Sequence, residues 1–125
     1  MPDRDPTLRV TLMPKDTNSH GSIFGGIILS HLDLAGAVAA RHACGPQKFA
    51  TVAMDKVVFH QPVYVGDLVS FYAETIRVGR TSVTTKVVVE AARRDTEETV
   101  KVTEAEVVYV AIGPDGRPVP VKRIR

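Results

Sequence analysis

The sequence has little of what marks several large classes of protein. It contains one cysteine, Cys44, in 125 residues, so no disulfide can form within the chain. A lone thiol is typical of a reducing compartment, and we expect a cytoplasmic protein. The formal net charge is only +2, which gives no reason to expect a nucleic-acid partner. The hydrophobic content of 44% predicts one folded domain over residues 1–125, with flexible tails at about 1–7 and 117–125.

Long apolar runs and targeting segments are also missing. The most apolar stretch, residues 23–40, carries Ser30, His31 and Asp33 near its centre, and such groups are costly inside a bilayer. The first residues, MPDRDPTLR, are polar and mixed in charge, unlike a secretion signal. We therefore expect neither a membrane span nor export.

What the sequence does contain is one unusual stretch, residues 16–42. Its second half predicts a helix that starts near residues 24–26 and ends at residues 44–45. The entry is rich in glycine, and the polar residues before it are candidates to cap the helix. Asp33 lies in the apolar middle of this helix, where an unpaired buried charge costs several kcal/mol, roughly as in a broken buried ion pair. A carboxylate kept in such a place indicates a functional role.

Helical spacing divides this segment into two sides. One side carries the carboxylate among small residues spaced three or four apart: Gly26, Ser30, Asp33, Ala37 and Ala40. The other side carries larger apolar residues: Ile27, Ile28, Leu32, Leu34 and Val38. We interpret the large residues as the core side, and the small residues as the side that a ligand or another backbone approaches.

Four long strands are predicted after the helix, with short turns between them. Valine-rich patterns predict strands at residues 49–59, 68–78, 81–92 and 99–112, after a weaker first strand at 8–13. Hairpin-length connections imply an antiparallel sheet, and only one helix is long enough to cover it. The predicted fold is therefore α+β, a curved antiparallel sheet of about five strands wrapped around one long central helix. Uncovered sheet edges predict a homodimer.

Several short motifs follow one another in a characteristic order. They are Asp16-Thr17-Asn18, Gly21, Phe24-Gly25-Gly26, Asp33, Phe59 with Pro62-Val63, Val65-Gly66-Asp67, the stretch 79–83 and Thr103-Glu104-Ala105. This order resembles that of the hot-dog-fold acyl-CoA thioesterases, most closely the YciA-type and cytosolic acyl-CoA hydrolase branch. The resemblance covers roughly residues 10–112. It implies a hot-dog fold, a homodimer or a trimer of dimers (hexamer), and hydrolysis of fatty acyl-CoA to free acid and CoA.

Thioester hydrolysis needs an activated water or nucleophile, and donors for the developing oxyanion. A helix N-terminus offers free N–H groups, so the N–H of Gly26, with Gly25 beside it, is the predicted oxyanion donor. Asp33 is the predicted base or nucleophile, and the sequence leaves that choice open. The two positions lie about 10 Å apart at the rise of ~1.5 Å per helical residue. We therefore expect a site shared between two antiparallel helices of a homodimer.

The resemblance implies further site residues. Asn18 is implied to orient the water or the substrate, together with the acid of the opposite subunit. Arg80, Thr81 and Ser82 are implied to bind the coenzyme A part of the substrate, whose phosphates suit exposed cations. No metal and no cofactor are expected, because coenzyme A enters and leaves as part of the substrate and product.

Other interpretations of these residues are kept as alternatives. Asp33 could be a structural carboxylate of the interface, and Asn18 could only shape its loop. His20 and His31 flank the site without the recognisable set of three or four ligands that zinc requires. Ser30 lacks the G-x-S-x-G turn of a serine hydrolase. The alternative functions are a non-catalytic acyl-CoA-binding or sensing module, and another hot-dog enzyme such as a hydratase or dehydratase.

Overall fold

Residues 5–123 are described by a computed structural model, which contains one long helix and five strands. In chain order, the elements are β1 (Leu8–Val10), a 3-10 helix (Pro14–Asp16), α1 (Gly25–Cys44), β2 (Phe49–Phe59), β3 (Leu68–Val78), β4 (Ser82–Ala92) and β5 (Thr99–Ala111). The predicted helix and the four long strands are confirmed to within one residue at each end. β1 is shorter than predicted, since it ends at Val10.

The five strands form one antiparallel sheet in the order β1-β3-β4-β5-β2. β3, β4 and β5 are neighbours in both sequence and space, whereas β2 lies at the far edge beside β5. Helix α1 packs against β3, β4 and β5. The predicted architecture, a sheet around one central helix, is confirmed. Within residues 5–123, no helix is long and apolar enough to cross a membrane.

The two faces of the sheet differ because side chains alternate along each strand. The inner face of β4 is fully buried and consists of Val83, Thr85, Val87, Val89 and Ala91. On the outer face, Glu74, Lys86 and Glu106 are neighbours in register across β3, β4 and β5. Such alternating charges suit a solvent-facing surface and contribute roughly 0.2–1 kcal/mol per cross-strand pair.

Helix α1 buries only part of the predicted core side: Ile28 and Leu32 are buried as predicted, whereas other positions differ. Its core side consists of Ile28, Leu32, Ala35, Gly36, Ala40 and Cys44. Leu34 and Val38, predicted as core residues, are 54% and 46% exposed, whereas Ala40, predicted on the ligand side, is fully buried. The prediction was wrong at these positions because the helix lies so close to the sheet that small residues are needed between them.

The two ends of α1 differ in how they are terminated. Gly45 ends the helix with a φ of +93°, which glycine adopts without strain, and its N–H donates to the Arg41 carbonyl oxygen at 2.7 Å. At the start, Phe24 occupies the N-cap position with an extended backbone and makes no side-chain cap. The expected polar cap is therefore absent, so no capping side chain accepts a hydrogen bond from the first N–H groups of the helix.

The C-terminal segment differs from the predicted tail. The N–H of Val121 donates to the Arg80 carbonyl oxygen at 2.8 Å, and Gln47 exchanges hydrogen bonds with the main chain of Lys122. Residues 117–123 therefore lie along the end of the sheet. At the other terminus, the N–H of Thr7 donates to β3, while residues 1–4 and 124–125 lie outside the described part of the chain.

A buried ion pair fixes the loop between β2 and β3. Arg93 donates to the Asp67 carboxylate at 2.5 Å, and Asp67 is only 3% exposed. The same carboxylate accepts the N–H of Tyr64 at 2.9 Å. Within this loop, the Val63 carbonyl oxygen accepts the N–H of Ile23, directly before α1. The ion pair thereby supports the entry to the helix.

We expect Asp67→Ala to lower the free energy of unfolding by about 3 kcal/mol, because it leaves the largely buried Arg93 charge without its partner. Urea denaturation measures this change. Asp95→Ala is the matched control, since it removes an ion pair with Arg94 whose side chains are 77% and 64% exposed. The control is expected to cost less than about 1 kcal/mol. Equal losses in the two variants would contradict a special role for the buried pair.

Candidate active site

The N-terminus of α1 presents main-chain donors without partners. Gly25 and Gly26 are the first residues of the helix, where an N–H has no acceptor inside the helix. Among residues 5–123, no hydrogen bond uses the N–H of either glycine. The next N–H, that of Ile27, donates to the Phe24 carbonyl oxygen at 3.0 Å. This helix end therefore combines two free donors with the positive end of the helix dipole.

Aromatic rings lie beside both glycines. A Cβ atom at Gly26 would lie 2.6 Å from the Phe24 ring, and one at Gly25 would lie 3.4 Å from the Phe59 ring. A side chain at Gly26 would therefore displace Phe24, whereas glycine leaves the main chain open to a ligand. The Phe59 ring is 50% exposed and forms an apolar wall next to the free donors.

Asn18 organises the loop in front of the helix. Its Oδ1 accepts the N–H groups of His20 and Ser22 at 2.8 and 3.2 Å, and its Nδ2 donates to the Ser22 hydroxyl at 3.0 Å. These bonds occupy both lone pairs of Oδ1 but only one of the two Nδ2 protons. The loop-shaping role is therefore present, and one amide proton is still available to a ligand.

Asp33 carries a half-buried carboxylate with one side-chain partner. The Thr51 hydroxyl donates to its Oδ1 at 2.8 Å, and no hydrogen bond to its Oδ2 occurs within the described residues. Its main-chain oxygen accepts the Tyr109 hydroxyl at 2.6 Å. Thr51 and Tyr109 face each other in register across β2 and β5. This register pair, one rung of the sheet, thus holds both the main chain and the side chain of Asp33. It leaves one carboxylate oxygen without a hydrogen bond.

The sequence did not indicate either partner of Asp33. Thr51 lies 18 residues away along the chain and Tyr109 lies 76 residues away, and each belongs to an ordinary strand pattern. A correct register for β2 and β5 would have placed the two opposite each other. Nothing in the local sequence places that rung under the middle of the helix.

Within one chain, the predicted base and the predicted oxyanion donors are separated. Asp33 contacts Thr51 near the start of β2, whereas Gly25 lies against Phe59 at the end of β2. Among residues 5–123, no hydrogen bond joins Asp33 to Asn18 or to a glycine of the helix entry. One chain therefore does not assemble the predicted site.

The three residues implied in coenzyme A binding lie between β3 and the start of β4: Arg80 and Thr81 are in the turn, and Ser82 is the first residue of β4. Arg80 is exposed at the end of the sheet. Ser82 directly precedes Val83, which pairs with Tyr109 in register. Ser82 therefore lies one residue beyond the rung that holds Asp33, so the structure brings these residues to the same end of the sheet as the carboxylate.

Positive charge from the C-terminal segment lies beside this turn. The Arg123 guanidinium donates to the main-chain oxygens of Val78 and Gly79 at 3.1 and 3.3 Å. Arg80 is tied to the same segment through its carbonyl oxygen, which accepts the N–H of Val121. Two arginines near one turn give a cationic edge suited to phosphate groups.

The histidines near the site do not form a metal centre. The His31 Nδ1 lies 2.9 Å from the Ile27 carbonyl oxygen, and its ring stacks on Phe71 with centroids 6.0 Å apart. In the part of the chain that the structure describes, no group of three or more His, Cys, Asp or Glu side chains is placed to hold a metal ion.

Sequence comparison connects this architecture to known proteins. A family model described as the thioesterase superfamily matches residues 20–98. An uncharacterised acyl-CoA thioester hydrolase of Zymomonas mobilis is 46% identical over 120 residues, which cover 94% of this chain and 78% of the relative. The acyl-CoA thioester hydrolase YciA of Escherichia coli is 38% identical over 121 residues, which cover 94% and 91%.

Solved structures agree with the sequence comparison. A hexameric hotdog-fold thioesterase of Campylobacter jejuni superimposes with a TM-score of 0.87 at 45% identity, covering 95% of this chain and 91% of that one. A hexameric thioesterase of Yersinia pestis gives a TM-score of 0.88 at 35% identity, with coverages of 97% and 98%. The predicted hot-dog fold is therefore confirmed. By the family match, the sequence identity and the shared fold, this chain belongs to the thioesterase superfamily.

Proposed function

We propose that this protein is an acyl-CoA thioester hydrolase that converts a fatty acyl-CoA into the free acid and coenzyme A. The observation that carries the proposal is a set of unsatisfied polar groups on α1. These are the N–H groups of Gly25 and Gly26 and one carboxylate oxygen of Asp33. Donors at a helix start and a carboxylate with an open oxygen are the two kinds of group that thioester hydrolysis needs. Relatives named as acyl-CoA thioester hydrolases match most of the chain.

The helix N-terminus is proposed to stabilise the thioester oxygen. As the carbonyl carbon is attacked, this oxygen gains negative charge and accepts the N–H of Gly26, with Gly25 beside it. One such donor contributes about 3 kcal/mol to transition-state stabilisation in comparable sites. The positive end of the helix dipole acts in the same direction.

Asp33 is proposed to activate the attacking group. Thr51 holds Oδ1, so Oδ2 takes a proton from water while the water oxygen bonds to the carbonyl carbon. The carbon–sulfur bond then breaks without prior protonation of the sulfur, and the released thiolate takes up the proton from Asp33, which restores the carboxylate. Direct attack by Asp33 to give an anhydride uses the same open oxygen. Neither route requires a resident cofactor.

A second copy of the chain is proposed to complete the site. β2 is an edge strand of eleven residues, paired with β5 on one side and with no other strand among residues 5–123. Four apolar side chains are exposed on it: Val52, Val57, Val58 and Phe59. A long apolar edge of this kind favours pairing with another chain. The opposite edge strand, β1, has only three residues.

Two-fold symmetry would bring the separated groups together. When β2 pairs antiparallel with the β2 of a second copy, the Thr51 end of one strand lies beside the Phe59 end of the other. Asp33 is bonded to Thr51, and Gly25 lies against Phe59, so the carboxylate of one protomer approaches the helix entry of its partner. Dimers of this kind, alone or as a trimer of dimers, agree with the hexameric relatives.

Asn18 and the turn at residues 80–82 have supporting roles in this proposal. The free Nδ2 proton of Asn18 donates to the water or the thioester at the Asp33 of the opposite protomer. Arg80, Thr81 and Ser82 bind the phosphates of coenzyme A at the end of the sheet, next to the carboxylate.

We expect Asp33→Asn to lower the turnover of acyl-CoA by about 10²-fold or more, because an amide cannot accept the proton. Thiol release from short, medium and long acyl-CoA measures the effect. Asp115→Asn, at an exposed turn, is the matched control and should leave turnover unchanged. Unchanged turnover in Asp33→Asn would assign the carboxylate a structural role. A native protein that binds acyl-CoA without turnover would be a binding module.

A shared site predicts that two inactive variants restore each other. Asn18→Asp keeps the loop acceptors but loses the Nδ2 donor, so we expect it to be nearly inactive with its fold intact. When it is co-expressed in equal amounts with Asp33→Asn, half of the dimers are mixed, and each mixed dimer has one intact site. We expect about one quarter of native turnover, from the symmetry of the pair. No recovery would show that both residues act within one chain.

We expect Arg80→Gln to raise the KM for acyl-CoA about three- to tenfold, because it removes a charge-assisted contact to phosphate. The effect should weaken at high salt, which screens an exposed contact. Acyl-N-acetylcysteamine lacks the nucleotide, so its KM should be unchanged in the same variant. A matched rise for both substrates would contradict a phosphate contact.

A further inference from the structure

The Tyr109 hydroxyl forms a hydrogen bond with the main chain of α1 at Asp33. The tyrosine is 1% exposed, and its hydroxyl donates to the main-chain oxygen of Asp33 at 2.6 Å. In a regular α-helix, that oxygen also accepts the N–H four residues later. The tyrosine therefore makes an additional bond, which the regularity of helix and sheet does not require.

Gly36 makes this contact possible. It lies one turn of helix after Asp33 and is fully buried. A Cβ atom at Gly36 would overlap the Tyr109 hydroxyl oxygen and would lie 2.8 Å from the Thr85 hydroxyl oxygen. Only glycine lets the tyrosine reach the helix main chain here.

The position of the carboxylate is fixed by two bonds from one rung of the sheet. Tyr109 holds the main chain of Asp33, and Thr51, its partner in register, holds the carboxylate. Rotation of α1 about its axis, or sliding along it, would break at least one of these bonds. Without the Tyr109 bond, the Thr51 bond alone allows the carboxylate to move together with the helix.

The Tyr109 hydroxyl stays protonated and therefore remains a hydrogen-bond donor. Burial, followed by the negative charge of Asp33, raises the pKa of Tyr109 well above its ordinary value. The phenol therefore keeps its proton at neutral pH, where it donates to the main chain of the helix.

We infer that Tyr109 is a positioning residue for the reaction, which sets the location of the Asp33 carboxylate through the helix main chain. The inference rests on the proposed function, in which Asp33 activates the attacking water. A displacement of about 1 Å in a reacting group can cost up to about 10²-fold in rate. Loss of one of two anchors moves the group less, so we expect Tyr109→Phe to lower kcat roughly 5- to 20-fold while KM changes less than about twofold.

Tyr72→Phe is the matched control for this variant. Tyr72 is also buried, at 2% exposure, but it follows Phe71, which belongs to the core under the helix. Because neighbouring side chains on a strand point to opposite faces, Tyr72 lies on the outer face, away from Asp33. Its substitution removes the same atom and should leave kcat within about twofold of the native value.

A double-mutant cycle with Asp33→Asn tests the inference on the native oligomer. If Tyr109 acts through the carboxylate, Tyr109→Phe should lower kcat only when Asp33 is present. The double variant should then have the same residual turnover as Asp33→Asn. Melting temperatures of all four proteins show that each is folded at the assay temperature.

Two results would overturn the inference while leaving the proposed function in place. One is native kcat in Tyr109→Phe alongside a strong loss in Asp33→Asn. The other is a cycle in which the two losses multiply, since that would show a general structural role. Native turnover in Asp33→Asn would instead overturn the catalytic assignment of Asp33, and the inference with it.

Discussion

The close contact between α1 and the sheet at Gly36 determines much of this structure. The hydroxyl groups of Tyr109 and Thr85 occupy the space that a side chain at this position would need. Because the helix lies so near the sheet, small residues form much of its buried face, and Leu34 and Val38 remain outside. Asp33 is brought within reach of the edge strand, half-buried and bonded to Thr51. A larger residue in place of Gly36 would move the helix away from the sheet and would change all of these contacts.

The polar groups that folding leaves without a partner lie along one strand, β2, and at its two ends. Free N–H donors lie at the helix entry beside Phe59, an open carboxylate oxygen lies beside Thr51, and the unpaired edge of β2 runs between them. None of them has a hydrogen-bond partner among residues 5–123. An antiparallel pair of β2 strands would satisfy the edge and bring the donors of one copy to the carboxylate of the other. Assembly and catalysis would then depend on the same strand.

Local patterns in the sequence were sufficient to predict the elements, but not every contact between them. Strand bounds follow from valine-rich alternation between turn residues, and Gly45 marks the end of the helix. The buried side of α1 was wrongly predicted at Ala40, because residue size does not reveal how closely a helix approaches its sheet. The Thr51 and Tyr109 contacts were missed for a related reason, since they depend on strand register and on the depth of the helix. Residues 117–123 are held by main-chain bonds, which composition does not indicate.

The start of α1 is unfavourable for helix stability, and that disadvantage supports a ligand-binding role. Each of Gly25 and Gly26 costs up to about 1 kcal/mol relative to alanine, and a missing side-chain cap costs about 1 kcal/mol more. A sum of up to about 3 kcal/mol is appreciable beside a typical total stability of about 5–15 kcal/mol. Serine or aspartate in place of Phe24 would supply the cap, but its oxygen would then occupy the N–H groups that a thioester oxygen needs. The residues at this helix entry therefore agree with the proposed role of the entry in binding the thioester oxygen.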